Sequence, residues 1–285
     1  MTRCALCDGA MRRRFRVRTF TVVRCDRCDL ERVDPMPSDA EISAVYDRGY
    51  FSGDGHGYED YFGRERAVAD AKARARMDAL ARFGLGPRGA VLELGCADGR
   101  FLLEASERGH PVRGVEASRE AREAADPRVR DRIAAGWDAL PEGDAFDAFA
   151  AFDVIEHLRD PMEALQRARG RLRAGALVAV VVPIIENVNA RWAPWTWDQY
   201  KPPEHLWFFS RKSVTTLIER AMGARTLACL PAWERAARVS SATLGRSGAI
   251  ARAEAWCWKT LRERGWLRAT ALEDSALVLA KVEAT

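Results

Sequence analysis

The hydrophobic pattern changes period along the chain. Phe15-Arg16-Val17-Arg18-Thr19-Phe20-Thr21-Val22-Val23 largely alternates and is rich in β-branched residues, which predicts a strand or hairpin. Arg64 to Phe83 holds no Gly or Pro and many helix formers, so a helix is expected, stopped by Gly84, Gly86, Pro87 and Gly89. A strand-turn-helix follows: buried strand Ala90–Leu94, turn Gly95–Gly99, helix Arg100–Arg108. Pro111–Val115 predicts the next strand, ending at Glu116, with Ser118 as N-cap of the helix after it. Phe146–Phe152 and Ala176–Val182 read as strands on either side of a helix over Pro161–Arg173. Arg211–Met222 reads as a helix, Ala224–Leu230 as extended and Ser275–Val282 as a closing strand. Strands alternating with helices predict an α/β fold with a mostly parallel sheet covered on both faces.

Composition adds few constraints. With 48% hydrophobic and 30% charged residues the chain can build a core, which excludes a disordered chain. The longest apolar run, Ala174 to Pro183, is far short of the ~20 residues of a spanning helix. No charged-then-apolar leader opens the chain, so a cytoplasmic protein without a membrane partner is expected. Forty-five Lys+Arg against 41 Asp+Glu give a net charge of +4, too little to argue for nucleic acid as a partner. The expected divisions are residues 1–36, a linker over 37–63, and 64–285. Within the last, 184–209 is read as a tryptophan-bearing lid over a substrate and 231–274 as a helical insertion before the last strand, compatible with a monomer or homodimer.

Four of the seven cysteines open the chain as two C-x2-C pairs, Cys4/Cys7 and Cys25/Cys28. Two such knuckles can turn four thiolates onto a tetrahedral Zn²⁺, the ligand set of a zinc ribbon. Disulfides are disfavoured in a cytosolic chain, and a redox pair needs no second copy. Four protein thiolates leave no open position, so the zinc is expected to be structural.

Ligands of doubly wound sheets lie at the carboxyl ends of the strands, near the switch in strand order. The first turn here, Gly95-x-x-x-Gly99, lacks the three-glycine dinucleotide spacing and suits a small group such as a carboxylate better than a pyrophosphate. Glu116 stands where it can accept the hydroxyls of a ribose; a tight turn with a solvated Glu is the alternative. Val91-Leu92-Glu93-Leu94-Gly95-Cys96-Ala97-Asp98-Gly99, then Gly114-Val115-Glu116, then Phe152-Asp153-Val154-Ile155-Glu156-His157-Leu158 together resemble class I S-adenosylmethionine-dependent methyltransferases, over roughly Arg64 to Val282. The resemblance implies a Rossmann-like, doubly wound, mostly parallel seven-stranded sheet, in which Glu93, Gly95, Cys96, Asp98 and Gly99 cradle the methionine part of the cofactor. Glu116 would hold its ribose, and Trp137 and Asp138 would lie beside its adenine. Asp153 is either a pocket acid or a turn former. Ala97 stands where the family often has Gly, and a negative φ is expected there.

A zinc ribbon ahead of this core is similar to sugar C-methyltransferases and related natural-product or glycan methyltransferases. Tyr46-Asp47-Arg48-Gly49-Tyr50-Phe51 resembles their entry segment, with Tyr50 facing the cofactor. Asp198-Gln199-Tyr200 and Glu204-His205-Leu206-Trp207-Phe208-Phe209-Ser210 resemble their substrate-facing segment. Methyl transfer from a sulfonium is an in-line displacement, and oxygen or carbon nucleophiles must also lose a proton. Two of the four histidines fall in these motifs, making His205 and His157 candidate bases with Glu204 as an orienting acid. A structural alternative has Glu156 and His157 capping the following helix and tethering the sheet. The expected activity is methyl transfer to a small-molecule substrate; an RNA base methyltransferase and a non-catalytic cofactor-binding module stay open.

Overall fold

A computed structural model of the chain describes residues 3–46, 66–232 and 275–283. Tyr50, the rest of the entry segment after Tyr46 and most of the 231–274 insertion lie outside these residues. The described chain begins with strands β1 (Met11–Val17), β2 (Phe20–Cys25) and β3 (Glu31–Asp34) and the short helix α1 (Asp39–Ser43). Helix α2 (Arg66–Arg82) then leads into β4 (Val91–Leu94), α3 (Arg100–Glu107), β5 (Val112–Val115), α4 (Arg119–Ala124), α5 (Pro127–Arg130) and β6 (Ile133–Ala134). After β7 (Phe146–Phe152) come α6 (Pro161–Arg169), β8 (Leu172–Pro183), α7 (Val188–Trp192), β9 (Trp207–Phe208), α8 (Arg211–Met222), β10 (Ala224–Pro231) and β11 (Ser275–Val282).

Seven strands form one sheet in the order β10-β11-β8-β7-β4-β5-β6. β4, β5, β6, β7 and β8 pair in parallel, while β11 runs antiparallel to both β8 and β10. Alternate residues of the central strands feed two cores. Leu92, Phe149, Val178 and Val180 pack with Leu165 of α6 and Ile218 of α8. Val91, Ala148, Ala150 and Val181 pack with Met77 and Leu80 of α2 and Leu102 of α3. Burial on both faces is why these strands are written as continuous apolar runs.

Two sequence expectations are corrected. The helix expected over Pro161–Arg173 ends at Arg169, and β8 already begins at Leu172 instead of at Ala176. Leu172 pairs with Phe146 at the start of β7, so sheet pairing overrides the helical preference of the Arg- and Leu-containing segment. By contrast, α8 keeps its sequence-derived bounds because both ends are capped: Ser210 closes a capping box, and Gly223 stops the helix at φ 54°.

A second sheet, β1-β2-β3-β9, joins the N-terminal strands to Trp207–Phe208 from the far side of the chain. The N-terminal unit is also pinned to α8, where Lys212 Nζ donates to the Arg27 carbonyl at 2.6 Å and Arg220 to that of Leu6. Beneath the sheet, buried Glu31 accepts both Arg14 Nη1 (2.6 and 2.8 Å) and the Tyr200 hydroxyl (2.6 Å). Arg14 also donates to the Ala190 carbonyl at 2.8 Å, tying the ribbon to the 184–209 segment. In that segment Trp197 and Trp207 are buried, whereas Trp192 and Trp195 are 74% and 80% exposed. Among the described residues no helix is long and apolar enough to cross a membrane.

Candidate active site and zinc centre

Strand order reverses at β4: β5 and β6 lie on one side and β7 and β8 on the other. Loops leaving the carboxyl ends of β4 and β7 therefore meet over a crevice, where open α/β sheets bind ligands. The first loop turns tightly, with φ of 65° at Gly95 and 73° at Gly99. A Cβ on Gly95 would lie 2.4 Å from Val154 Cγ2 in the loop after β7, so only glycine lets the two loops touch. Ala97 has φ 46°, not the negative value expected. The reversal needs left-handed backbone there, and it turns the Ala97 N–H onto Glu116 Oε2 at 3.0 Å, an interaction that offsets the conformational cost.

Three carboxylates border this turn. Glu93 is enclosed, and burial pushes its carboxyl up to about 8 despite the guanidinium of Arg76 nearby. Asp98 accepts from Arg100 Nε at 2.8 Å, and burial again raises its pKa. Glu93 Oε2 and Asp98 Oδ1 are buried without a hydrogen-bond partner among the described residues. Two such oxygens beside a turn too narrow for a Cβ fit a small ligand end carrying an ammonium group, as the methionine part of S-adenosylmethionine does. Glu116 ends β5, its Oε1 taking the Ser118 N–H at 2.7 Å and its Oε2 that of Ala97. Each oxygen retains a lone pair, so the carboxylate can brace the turn and still accept a ribose hydroxyl.

Other candidates are arranged differently. Cys96 contributes backbone to the turn, while its side chain is buried against Gly114, where an added Cβ would lie 2.5 Å from Sγ. Burial pushes the Cys96 thiol well up, which leaves it unreactive. Asp153, at φ 58°, pairs with Arg76 Nη2 at 3.1 Å, and that guanidinium lies 4.2 Å from the centre of the Phe152 ring. Trp137 and Asp138 follow β6, with Arg167 over the Trp137 ring and paired with the exposed Asp138.

The histidine candidates come together. His157, in the loop after β7, and His205, just before β9, meet edge to face with ring centres 4.5 Å apart. The Leu206 and Trp207 N–H groups donate to the Glu156 carbonyl at 2.9 and 3.2 Å, stitching the two segments together. Glu204 orients His157 through its backbone: its carbonyl lies 3.0 Å from His157 Nδ1, and its carboxylate pairs with Lys201 at 2.6 Å. Burial lowers the His157 pKa to about 4, keeping the ring neutral. Capping by Glu156 and His157 fails, because α6 begins at Pro161 with its own N-cap, Asp160, which accepts from Glu163 N–H. Tethering does not fail, since the Glu156 carbonyl and His157 Nδ1 bind the 204–207 segment that leads into β9. Sequence reasoning gave no role to Arg76, since a helical Arg carries no motif, and gave Glu156 only a structural one.

In the N-terminal unit, Cys4, Cys7, Cys25 and Cys28 converge with all four sulfurs within 4.8 Å of one another. The Cys4–Cys28 and Cys7–Cys25 sulfurs are 3.6 and 3.4 Å apart. Tetrahedral zinc–thiolate bonds require about 3.8 Å, so the set fits zinc with little movement. Backbone N–H groups of Leu6 and Arg27 point at Cys4 and Cys25 Sγ, each at 3.4 Å, as the outer shell of such a site requires.

A family model described as a methyltransferase domain matches residues 64–222, more than half of the chain. Trans-aconitate 2-methyltransferase of an Azoarcus species is 30% identical over 170 residues, 58% of this chain and 60% of that protein. The tRNA U34 carboxymethyltransferase of Pseudoalteromonas atlantica is 24% identical over 146 residues, 48% of this chain and 45% of that protein. The chain spans less than two thirds of the length of these curated relatives. Among solved structures, the Burkholderia thailandensis 1,6-didemethyltoxoflavin-N1-methyltransferase, bound to 1,6-didemethyltoxoflavin and S-adenosylhomocysteine, superposes with a TM-score of 0.54 at 16% identity, covering 95% of this chain and 99% of that one. An S-adenosylmethionine-dependent methyltransferase of Archaeoglobus fulgidus gives 0.52 at 17% identity, over 76% and 94%. The strand order, the β4 turn and the match over residues 64–222 thus make this chain a member of the methyltransferase-domain family, a class I S-adenosylmethionine-dependent methyltransferase.

Proposed function

We infer that the enzyme methylates a small-molecule acceptor (a sugar nucleotide, a glycan or a natural-product intermediate) and that His205 takes the proton the acceptor loses. The observation that carries this is the pairing of His157 and His205, two motif histidines far apart in sequence, with His157 in the loop that leaves the carboxyl end of β7. S-adenosylmethionine, when bound, supplies the methyl electrophile. The chain's own residues do the rest. Glu93 and Asp98 hold the ammonium end, Gly95 and Gly99 let the backbone approach, and Glu116 fixes the ribose, with Trp137, Asp138 and Asp153 along the far side. His157, kept neutral by burial and oriented by the Glu204 carbonyl, packs against His205 and sets its angle. Arg14, through Glu31 and Tyr200, steadies the 184–209 segment over the acceptor. The Cys4/Cys7/Cys25/Cys28 zinc is structural, holding that arm in place.

Small-molecule relatives support the choice of acceptor, among them the trans-aconitate enzyme and the ubiquinone biosynthesis O-methyltransferase of Caulobacter vibrioides, which is 27% identical over 171 residues. Similarity to the tRNA carboxymethyltransferase keeps RNA as a second reading. The test is a methyl-uptake screen over nucleotide sugars, carboxylic acids, phenols and bulk tRNA. Once an acceptor is found, His205→Ala should lower kcat by about 10²–10⁴-fold with donor affinity unchanged. An unchanged kcat removes His205 from the mechanism, and uptake by tRNA alone replaces the small-molecule assignment.

A further inference from the structure

We propose that Glu156, His157 and His205 bind a divalent transition-metal cation of the Zn²⁺, Mn²⁺ or Fe²⁺ type, at a second metal centre distinct from the cysteine site. One potential ligand atom from each residue lies within 4.8 Å of the other two. Three points so spaced share a centre no more than about 2.8 Å from each, and metal–ligand bonds of about 2.0–2.2 Å are reached by side-chain movements of well under 1 Å. Two imidazoles and one carboxylate are a nitrogen–oxygen set suited to these cations, whereas four thiolates at the other site select zinc.

Local geometry presents the donors correctly. The Glu204 carbonyl can only accept, so His157 Nδ1 carries the proton, and the lone pair sits on Nε2. Nε2 is also the atom facing Glu156, 4.0 Å from Oε1. A backbone carbonyl on the remote ring nitrogen is the outer-shell partner that metal-binding histidines use. Glu156 and His205 are 1% and 2% exposed and are held in register by the hydrogen bonds from Leu206 and Trp207 to the Glu156 carbonyl. These ligands thus come from two segments already joined in the folded chain, which reduces the ordering cost of binding.

Three protein donors leave coordination positions open. Val154, two residues before Glu156, packs on Gly95 of the β4 turn, so the loop that carries Glu156 and His157 borders the crevice. An oxygen of the acceptor, a hydroxyl or carboxylate next to the reacting atom, would complete the coordination. That last step rests only on the methyl transfer to a small-molecule acceptor inferred above, and the cation site itself does not; His205 serves as the base in the metal-free protein and as a ligand, its lone pair engaged, when the cation is bound.

The test is Co²⁺ titration of the full-length, zinc-loaded protein, followed by its electronic spectrum and by bound metal after gel filtration. One equivalent beyond the zinc is expected, with weak d–d bands and no thiolate charge-transfer band. His205→Gln and Glu156→Gln should each weaken that equivalent about tenfold or more, while the tightly held zinc stays at one per chain. Circular dichroism confirms that both variants fold, and Glu156→Asp, which keeps a carboxylate, should retain part of the affinity. Wild-type protein that takes up no additional Co²⁺, or takes it up equally in both variants, overturns the proposal. Loss of turnover in His205→Gln without a second cation leaves the base assignment standing alone. A second cation with undiminished turnover in His205→Gln keeps the metal centre and removes it from the acceptor.

Discussion

Replacing Glu93 by Gln tests the electrostatics of the donor site directly. Burial moves this carboxyl from an ordinary 4.5 to about 8, so in the ligand-free protein it is about nine-tenths protonated at pH 7. A bound ammonium stabilises the ionised form, and binding the donor should therefore expel a proton. If only ionised Glu93 accepts the donor, the binding-competent fraction rises from about 1% at pH 6 to about 50% at pH 8, and affinity for S-adenosylmethionine tightens by about 50-fold. Stability carries the opposite sign. The folded pKa lies above the unfolded one, so the folded state binds more protons between 4.5 and 8; stability is full below 4.5, falls as pH rises through that window and is flat above it. The whole shift corresponds to roughly 5 kcal/mol, an upper bound for a site that can relax. Calorimetric titrations at pH 6, 7 and 8 in two buffers of different ionisation enthalpy measure both affinity and protons released. Glu93→Gln should bind more weakly at pH 8 and lose most of the pH dependence; the donor's own titration is common to both proteins and drops out of the comparison. Equal pH slopes and equal proton release in the two proteins would refute the assignment, and would mean that Arg76 already keeps Glu93 ionised.

Three further outcomes are expected. Cys25→Ser should lower zinc content by one equivalent per chain and reduce the thermal midpoint, since binding energy at a structural zinc is folding energy; mass spectrometry of metal content and a melting scan check this. Arg14→Met removes the nearer guanidinium from the buried Glu31 carboxylate, leaving it Arg24 at 3.5 Å and the Tyr200 hydroxyl, and should cost about 1–3 kcal/mol in urea unfolding, with partial recovery in the Arg14→Met/Glu31→Gln double variant. At the β4 turn, Gly95→Ala should destabilise by about 2 kcal/mol or more, because its Cβ would meet Val154 in a left-handed conformation, while Ala97→Gly should be neutral or gain up to about 1 kcal/mol. Equal stability of Gly95→Ala and wild type would show that the two loops separate freely.

The sequence by itself determined the layer architecture and which residues stand at the strand ends. Runs such as Val91–Leu94 and Phe146–Phe152 are mostly apolar on both faces, Glu93 and Asp147 excepted, because helices cover both, and that requirement is local enough to read from a few residues. Caps and stops at Ser118, Ser210 and Gly223 are equally local. Paired C-x2-C spacing likewise brought the four thiolates within reach of one ion. Tertiary structure alone decided the backbone sign at Ala97, whose N–H is held by Glu116 after β5, and the end of α6, where pairing with Phe146 outweighed helix propensity. It also decided that Trp207–Phe208 extends the ribbon sheet, and that Glu204 acts on His157 through its carbonyl. Such contacts join residues tens to hundreds of positions apart, and period and spacing along a chain report only on its own neighbours.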